Sequence, residues 1–369
     1  MGSVSRPITE FCLDLYNKLN RNAENTNIAF SPMSISVALA LVHLGAKNNT
    51  AAQIEEVSIN EMCSMSGKLQ AEQELDLSLR AQPQRWSQNQ ARRDSLPSHR
   101  YQFLMCTKEL YGAMLQTVDF QGATEAARTK INSWVESETQ GKIKDLFAPG
   151  VITVDTLLVL VNVIYFKASW EHKFEEQKTV QRDFKLNQNE KKPVQMMYQK
   201  GMFKFGYIEE MGAQVLELPY AQKSLSMIIL LPGDMIESTM TYENLMLWAS
   251  SEHMFETRVE VYLPRFKLES TFNLNEVLQE MGMTDIFNES KADLSAMSFA
   301  KSLVLSDVVH KTYVEVNEEG TIAAAATGAV IVNRSLPLTE VFMADHPFLF
   351  FIRHNPTNTI LFFGKLCSP

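Results

Sequence analysis

Apolar and polar positions follow two periods along this chain. Over 7–21, Ile8, Phe11, Cys12, Leu15, Tyr16 and Leu19 recur at helical spacing and predict an amphipathic helix. Ser31-Pro32 supplies a capping hydroxyl and a first-turn proline for a second helix through Ile35, Val37, Ala38, Leu39 and Leu41, ended by Gly45. That helix is apolar nearly all round, so it belongs inside the core. Residues 123–138 predict a longer amphipathic helix carrying Ile131, Trp134 and Val135, with Gly141 as its stop. Shorter helices are predicted over 50–57, 106–111 and 273–282. The last places Leu274, Val277 and Leu278 on one face.

Alternating or continuous apolar runs predict strands over 156–166, 194–207, 213–218, 224–231 and 259–266, one within 303–316, and two buried strands over 349–352 and 359–363. Pro219-Tyr220 marks a turn joining two of them as a hairpin. No internal repeat and no Gly/Pro-rich linker is visible. Helices and strands mix without a βαβ rhythm, which predicts a single α+β domain over 1–369. Residues 58–100 break the pattern. They are rich in Ser, Gln, Glu and Arg, contain Pro83 and Pro97, and show no strand alternation. They leave room for one polar helix over 69–79, with solvated loop around it.

Composition narrows the class. The chain is 45% apolar and 21% charged, as an ordinary globular protein is. Its net charge of −9 argues against nucleic acid or an acidic membrane as a partner. The 19 Met residues read as adaptable core filler. Cys12, Cys63, Cys106 and Cys367 form neither a CxxC pair nor a metal spacing, so a reducing compartment is expected and no metal or cofactor. The first residues lack the apolar run of a signal peptide, and Arg6 stands where a myristoylation signal requires Ser or Thr. No apolar stretch approaches a membrane span. A cytoplasmic monomer is the expectation. Three N-x-S/T triplets begin at Asn48, Asn288 and Asn333, and in the cytosol they carry no meaning.

No catalytic signature is present: no GxSxG elbow, phosphate loop, HExxH or GxGxxG. The seven His residues are widely scattered. The chemistry points instead to the run Glu318-Glu319-Gly320-Thr321-Ile322-Ala323-Ala324-Ala325-Ala326-Thr327-Gly328, followed by Ala329-Val330-Ile331-Val332. Its composition suits an exposed loop, a strand in a sheet, or a helix. Arg334 is the only Arg or Lys between 321 and 352, in a polar stretch that a trypsin-like protease can cut.

This run resembles the reactive loop of a serpin, and the resemblance covers most of the chain. Phe30-Ser31-Pro32-Met33-Ser34-Ile35-Ser36 resembles an early family helix, and Asn162 to Trp170 a central-sheet strand. Leu263-Pro264-Arg265-Phe266 and His346-Pro347-Phe348 match two further signatures. The absent leader and the ending Leu366-Cys367-Ser368-Pro369 resemble the ovalbumin-type, clade B branch. Ovalbumin is exported without a cleaved leader, so unconventional secretion is compatible with this resemblance.

The resemblance implies a mixed central β-sheet with two further sheets, surrounding helices and an exposed reactive loop over 320–341. It implies a suicide substrate for a trypsin-like serine protease and not an enzyme. Gly320 is the hinge glycine, and 334 − 320 gives the family's spacing of 14 to the scissile residue, so Arg334-Ser335 is the bond offered. Glu318 and Gly320 open the hinge. Thr321, Ala323, Ala325 and Thr327 are small and uncharged and share the face that is buried on insertion. Ile322 replaces an acidic residue common in the family. Ser31, Asn162 and His310 resemble the polar cluster that supports sheet opening, and Trp170 an aromatic residue near the insertion point. The alternative is a non-inhibitory serpin-fold protein, cleaved as a substrate or serving in binding or storage. The polar stretch 58–100, where a helix and central-sheet strand are expected, motivates it.

Overall fold

The computed structural model describes residues 5–21, 23, 25–58, 79–81, 84–87, 115–166, 168–232, 236–297, 303–320 and 339–369. Its helices are α1 (Ser5–Asn20), α2 (Pro32–His43), α3 (Asn48–Ser58), α4 (Thr124–Glu138), α5 (Tyr242–Trp248) and α6 (Asn275–Glu280). Its strands are β1 (Ile28–Phe30), β2 (Leu79–Ala81), β3 (Gln84–Ser87), β4 (Leu115–Thr117), β5 (Leu158–Phe166), β6 (Val180–Lys185), β7 (Lys191–Ile208), β8 (Ala213–Pro219), β9 (Leu225–Leu231), β10 (Phe255–Pro264), β11 (Phe266–Asn273), β12 (Asp307–Val316), β13 (Glu340–Met343), β14 (Phe348–His354) and β15 (Thr359–Leu366). The helix expected over 106–111 lies outside the described residues.

The chain divides into two compact units, one of residues 1–19, 30–165 and 269–313, the other of 20–29, 166–268 and 314–369. The segments interleave along the chain, which is why no linker divides the sequence.

In the first unit the strands follow the order β11-β12-β5-β3-β4, with β2 also paired to β5. β3 runs antiparallel to β5, with Arg85 opposite Leu160, and parallel to β4. So 79–81 and 84–87 form two short strands in the stretch where the sequence predicts none. β5 is buried at every position, as a run that is apolar except for Asn162 suits. α4 lays Ala127, Ile131 and Val135 on Val159, Val161 and Val163 of β5 and on Val309 and Tyr313 of β12. Tyr165 and Tyr313 meet edge to face at 5.5 Å across these two strands.

α2 sits largely inside the core, with Leu39 and Leu41 at 0% exposure. Ser31 caps it: its Oγ accepts from Ser34 N at 3.2 Å, and Pro32 occupies the first turn. Ser36 is equally buried, and its hydroxyl has no hydrogen-bond partner among the described residues. Leaving a hydroxyl unpaired in the core costs about 1–3 kcal/mol. Ser36→Ala is therefore expected to raise stability by ~1 kcal/mol in chemical denaturation. A loss of stability would mean that the hydroxyl is paired after all.

The second unit follows the path β1-β15-β14-β9-β8-β7-β10-β13, with β6 beside β7. β7 makes this path continuous. Its residues 204–208 pair with β8 and its residues 196–205 with β10, so one long strand joins the two ends of the path. β9, β14 and β15 are buried throughout. β13 pairs parallel with β10, Glu340 beside Val259, so the last two positions of the range expected for the loop are in a strand.

Candidate functional site

α2, β5 and β12 bring three of the expected residues together. Asn162 on β5 and His310 on β12 face each other, His310 Nδ1 lying 2.6 Å from Asn162 Oδ1. On its other side His310 Nε2 accepts from Ser31 N at 3.1 Å, with Thr312 Oγ1 2.7 Å from the same nitrogen. Asn162 Nδ2 donates to Ser34 O at 3.1 Å, and Ser34 Oγ donates to Asn162 Oδ1 at 2.9 Å. The backbone N–H of Ser31 fixes the tautomer: Nε2 carries no proton, Nδ1 donates to Asn162, and the Thr312 hydroxyl is a donor.

The cluster is a polar clasp. β5 and β12 are neighbours in the sheet, and His310–Asn162 holds them side chain to side chain while α2 closes the network from its capped end. Ser34 and Thr312 belong to it although no sequence motif names them. Each has a local signal, since Ser34 is one helical turn from Ser31 and Thr312 stands on the same strand face as His310.

His310 is fully buried, and burial pushes its pKa from 6.5 down to about 3 against the hydrogen bond that the ring donates to Asn162. The unfolded chain binds this proton near pH 6.5 and the folded chain does not. The stability that neutral His310 contributes is thus complete above pH 6.5 and is lost as pH falls toward 3. Between pH 6.5 and 5 the loss from this group amounts to about 2 kcal/mol. Its ring proton shifts are expected to stay flat from pH 8 to 4.5 by NMR. A midpoint near 6.5 would contradict the buried neutral assignment.

In the second unit the chain leaves β12 through Asn317–Gly320 and is pinned at each step. Trp170 Nε1 donates to Asn317 O at 3.0 Å, Phe174 N to Glu318 O at 2.9 Å and Trp170 N to Glu319 O at 3.0 Å. Trp170 is itself held flat on Tyr220, with centroids 4.5 Å apart at 9°. Glu318 is 3% exposed. Arg265 Nε donates to both carboxylate oxygens at 2.7 and 2.6 Å, and Thr179 Oγ1 donates to one of them. Burial raises the Glu318 carboxyl, but the bonds from Arg265 and Thr179 outweigh it and hold the group below the usual carboxylate range.

Gly320 bridges Ser169 with φ +93°, a backbone that side-chain-bearing residues rarely adopt. A β-carbon there would meet Trp170 N at 2.4 Å and Ala168 O at 2.7 Å. Glycine is required on both counts. Arg265, Thr179 and Asn317 were not legible as partners, since nothing local joins positions 53 or more apart. Thr321, Ala323, Ala325, Thr327, Arg334 and Ser335 lie outside the described residues. Among the described residues no three His, Cys, Asp or Glu side chains converge as metal ligands, and no helix is long and apolar enough to cross a membrane.

The site thus consists of a clasped strand pair and of a pinned segment that leads, in sequence, into a run of mostly small residues. Residues 6–369 match the family described as Serpin (serine protease inhibitor), and the chain belongs to the serpins. Serpins are protease inhibitors rather than catalysts. Human Serpin B11 is 45% identical over 392 residues and human leukocyte elastase inhibitor 45% identical over 383, each match covering 100% of both chains. These relatives are ovalbumin-type, clade B serpins. Uncleaved ovalbumin has the same fold, with a TM-score of 0.90 at 37% identity over 100% of both chains.

Proposed function

We propose that this serpin traps trypsin-like serine proteases, presenting Arg334-Ser335 as the bond to be cut. The observation that carries the reading is the anchored hinge. Glu318 to Gly320 is held by Arg265, Trp170 and Phe174, and the next residues are uncharged and mostly small up to a single Arg 14 positions past Gly320.

In the reaction the protease serine attacks the Arg334 carbonyl. The amine of Ser335 leaves with a proton from the protease histidine, and Arg334 remains as an ester on the enzyme. Serpin loop insertion is an established case of strand addition with release of stored strain. Here a strand added between β5 and β12 has to part His310 from Asn162 and Tyr165 from Tyr313. These contacts oppose opening before cleavage, which suits a kinetically trapped native state.

Leukocyte elastase inhibitor is named for elastase. The small elastase pocket does not accept a guanidinium, whereas an acidic trypsin-like pocket pairs with it. Arg334 therefore directs this chain to a different target class.

The test is incubation with trypsin followed by denaturing electrophoresis. A stable covalent adduct is expected. Clean cleavage after Arg334 with full recovery of protease activity would favour the second reading, a cleaved substrate or binding protein. That reading was motivated by the polar stretch 58–100 and loses force with β2 and β3 lying along β5.

A further inference from the structure

The solvent face of β7, β10 and β13 is not absorbed by this mechanism. Burial alternates on all three strands and in register. Facing out are Tyr198, Lys200 and Met202 on β7, Arg258, Glu260 and Tyr262 on β10, and Val341 and Met343 on β13. Met202 and Val341 are 53% and 45% exposed. Tyr198 and Tyr262 pack at 5.0 Å, and the Arg182 guanidinium stacks on Tyr262 at 4.5 Å. Tyr, Met and Arg are the side chains that protein interfaces concentrate.

We infer that this face is a second docking surface for the protease held at Arg334, and that it reads an apolar patch rimmed by carboxylates on the enzyme. The inference rests on the reading of Arg334 as the scissile residue. Chain length supplies the first argument. Arg334 is six positions before Glu340, the first residue of β13, so the two are within about 20 Å whatever path the chain takes. A protease domain of about 220 residues has a radius of gyration of about 17 Å, so its body reaches this face from Arg334.

Charge supplies the second. Lys200 is paired with Glu260 at 2.8 Å, but Arg182 and Arg258 have no carboxylate partner among the described residues. The face is thus locally cationic on a chain of net charge −9, and it selects acidic surface and steers its approach. Function gives the third. Arg334 alone does not separate one trypsin-like enzyme from another, and a surface beside the loop does.

The experiment follows the second-order rate at which trypsin consumes the intact chain, counting adduct and cleaved product together, for the parent and for M202E/R258E. Both positions are on the solvent side of paired strands, so the thermal midpoint is expected to stay unchanged. The variant is expected to react at least tenfold more slowly at low salt, with the gap narrowing as salt is raised. Equal rates for parent and variant overturn the docking face and leave the scissile assignment standing. A parent that is not cut after Arg334 overturns the scissile assignment and the face with it. A concentration-dependent dimer of the parent, absent in the variant by sedimentation, would assign the face to a second copy and overturn its role toward the protease.

Discussion

Arg334→Ala is expected to slow attack by trypsin on the order of 10³-fold or more, equivalent to about 4 kcal/mol of transition-state binding. The protease pocket is built around a buried carboxylate. With alanine that carboxylate stays desolvated and unpaired, which costs more than the contact alone contributes. Stability is expected to be unaffected, because the substitution falls in sequence between the hinge at Gly320 and the first residue of β13 and replaces no residue that the backbone bridge or the strand pairing there uses. The measurement is the rate of adduct formation or cleavage beside a thermal melt. If trypsin reacts with the variant as with the parent, the scissile bond lies elsewhere and the spacing of 14 from Gly320 has been misapplied.

The elements legible in the sequence are those whose side chains alone decide their fate. β5, β9, β14 and β15 are buried throughout and appear as predominantly apolar runs. α2 announces itself by Ser31-Pro32 and an apolar body. Other elements owe their existence to distant partners. β6 buries only Phe184, so its sequence has no period, and its pairing with β7 makes it a strand. β3 is Gln84-Arg85-Trp86-Ser87, and its backbone bonds to β5 and β4 place it in the sheet. β11 does alternate, with Phe266 and Leu268 inward, but only Arg265 separates it from β10 and the boundary is invisible.

The site divides in the same way. Ser31, Asn162 and His310 are separated by 131 or more positions, and no local pattern says that they share hydrogen bonds. Resemblance named them, and geometry gave them partners. Arg265 and Glu318 were both visible, one inside a family signature and one in the hinge, yet their pairing emerges only from the fold. The consequence is physical. The clasp across β5 and β12 and the pin on Glu318 belong to different parts of the chain, so each can be weakened separately.

Thr321→Arg tests the step that separates an inhibitor from a substrate. Thr321 follows Gly320, which is bridged to Ser169, so on the proposed reading it is among the first residues that insertion must carry into the sheet. A guanidinium buried there without a partner costs several kcal/mol even after relaxation. Before cleavage the native fold and the access to Arg334 are expected to be unchanged. Insertion slows while hydrolysis of the ester on the protease does not, and the balance shifts from trapping to turnover. Titration of trypsin activity should need many variant molecules per enzyme where the parent needs few, with cleavage after Arg334 at the parent's rate. A thermal melt of the cleaved chain gives a second readout: cleavage is expected to raise the midpoint of the parent and not that of the variant, because only the parent adds the strand. A variant that traps trypsin as the parent does, or gains the same heat stability on cleavage, would show that Thr321 stays outside the sheet.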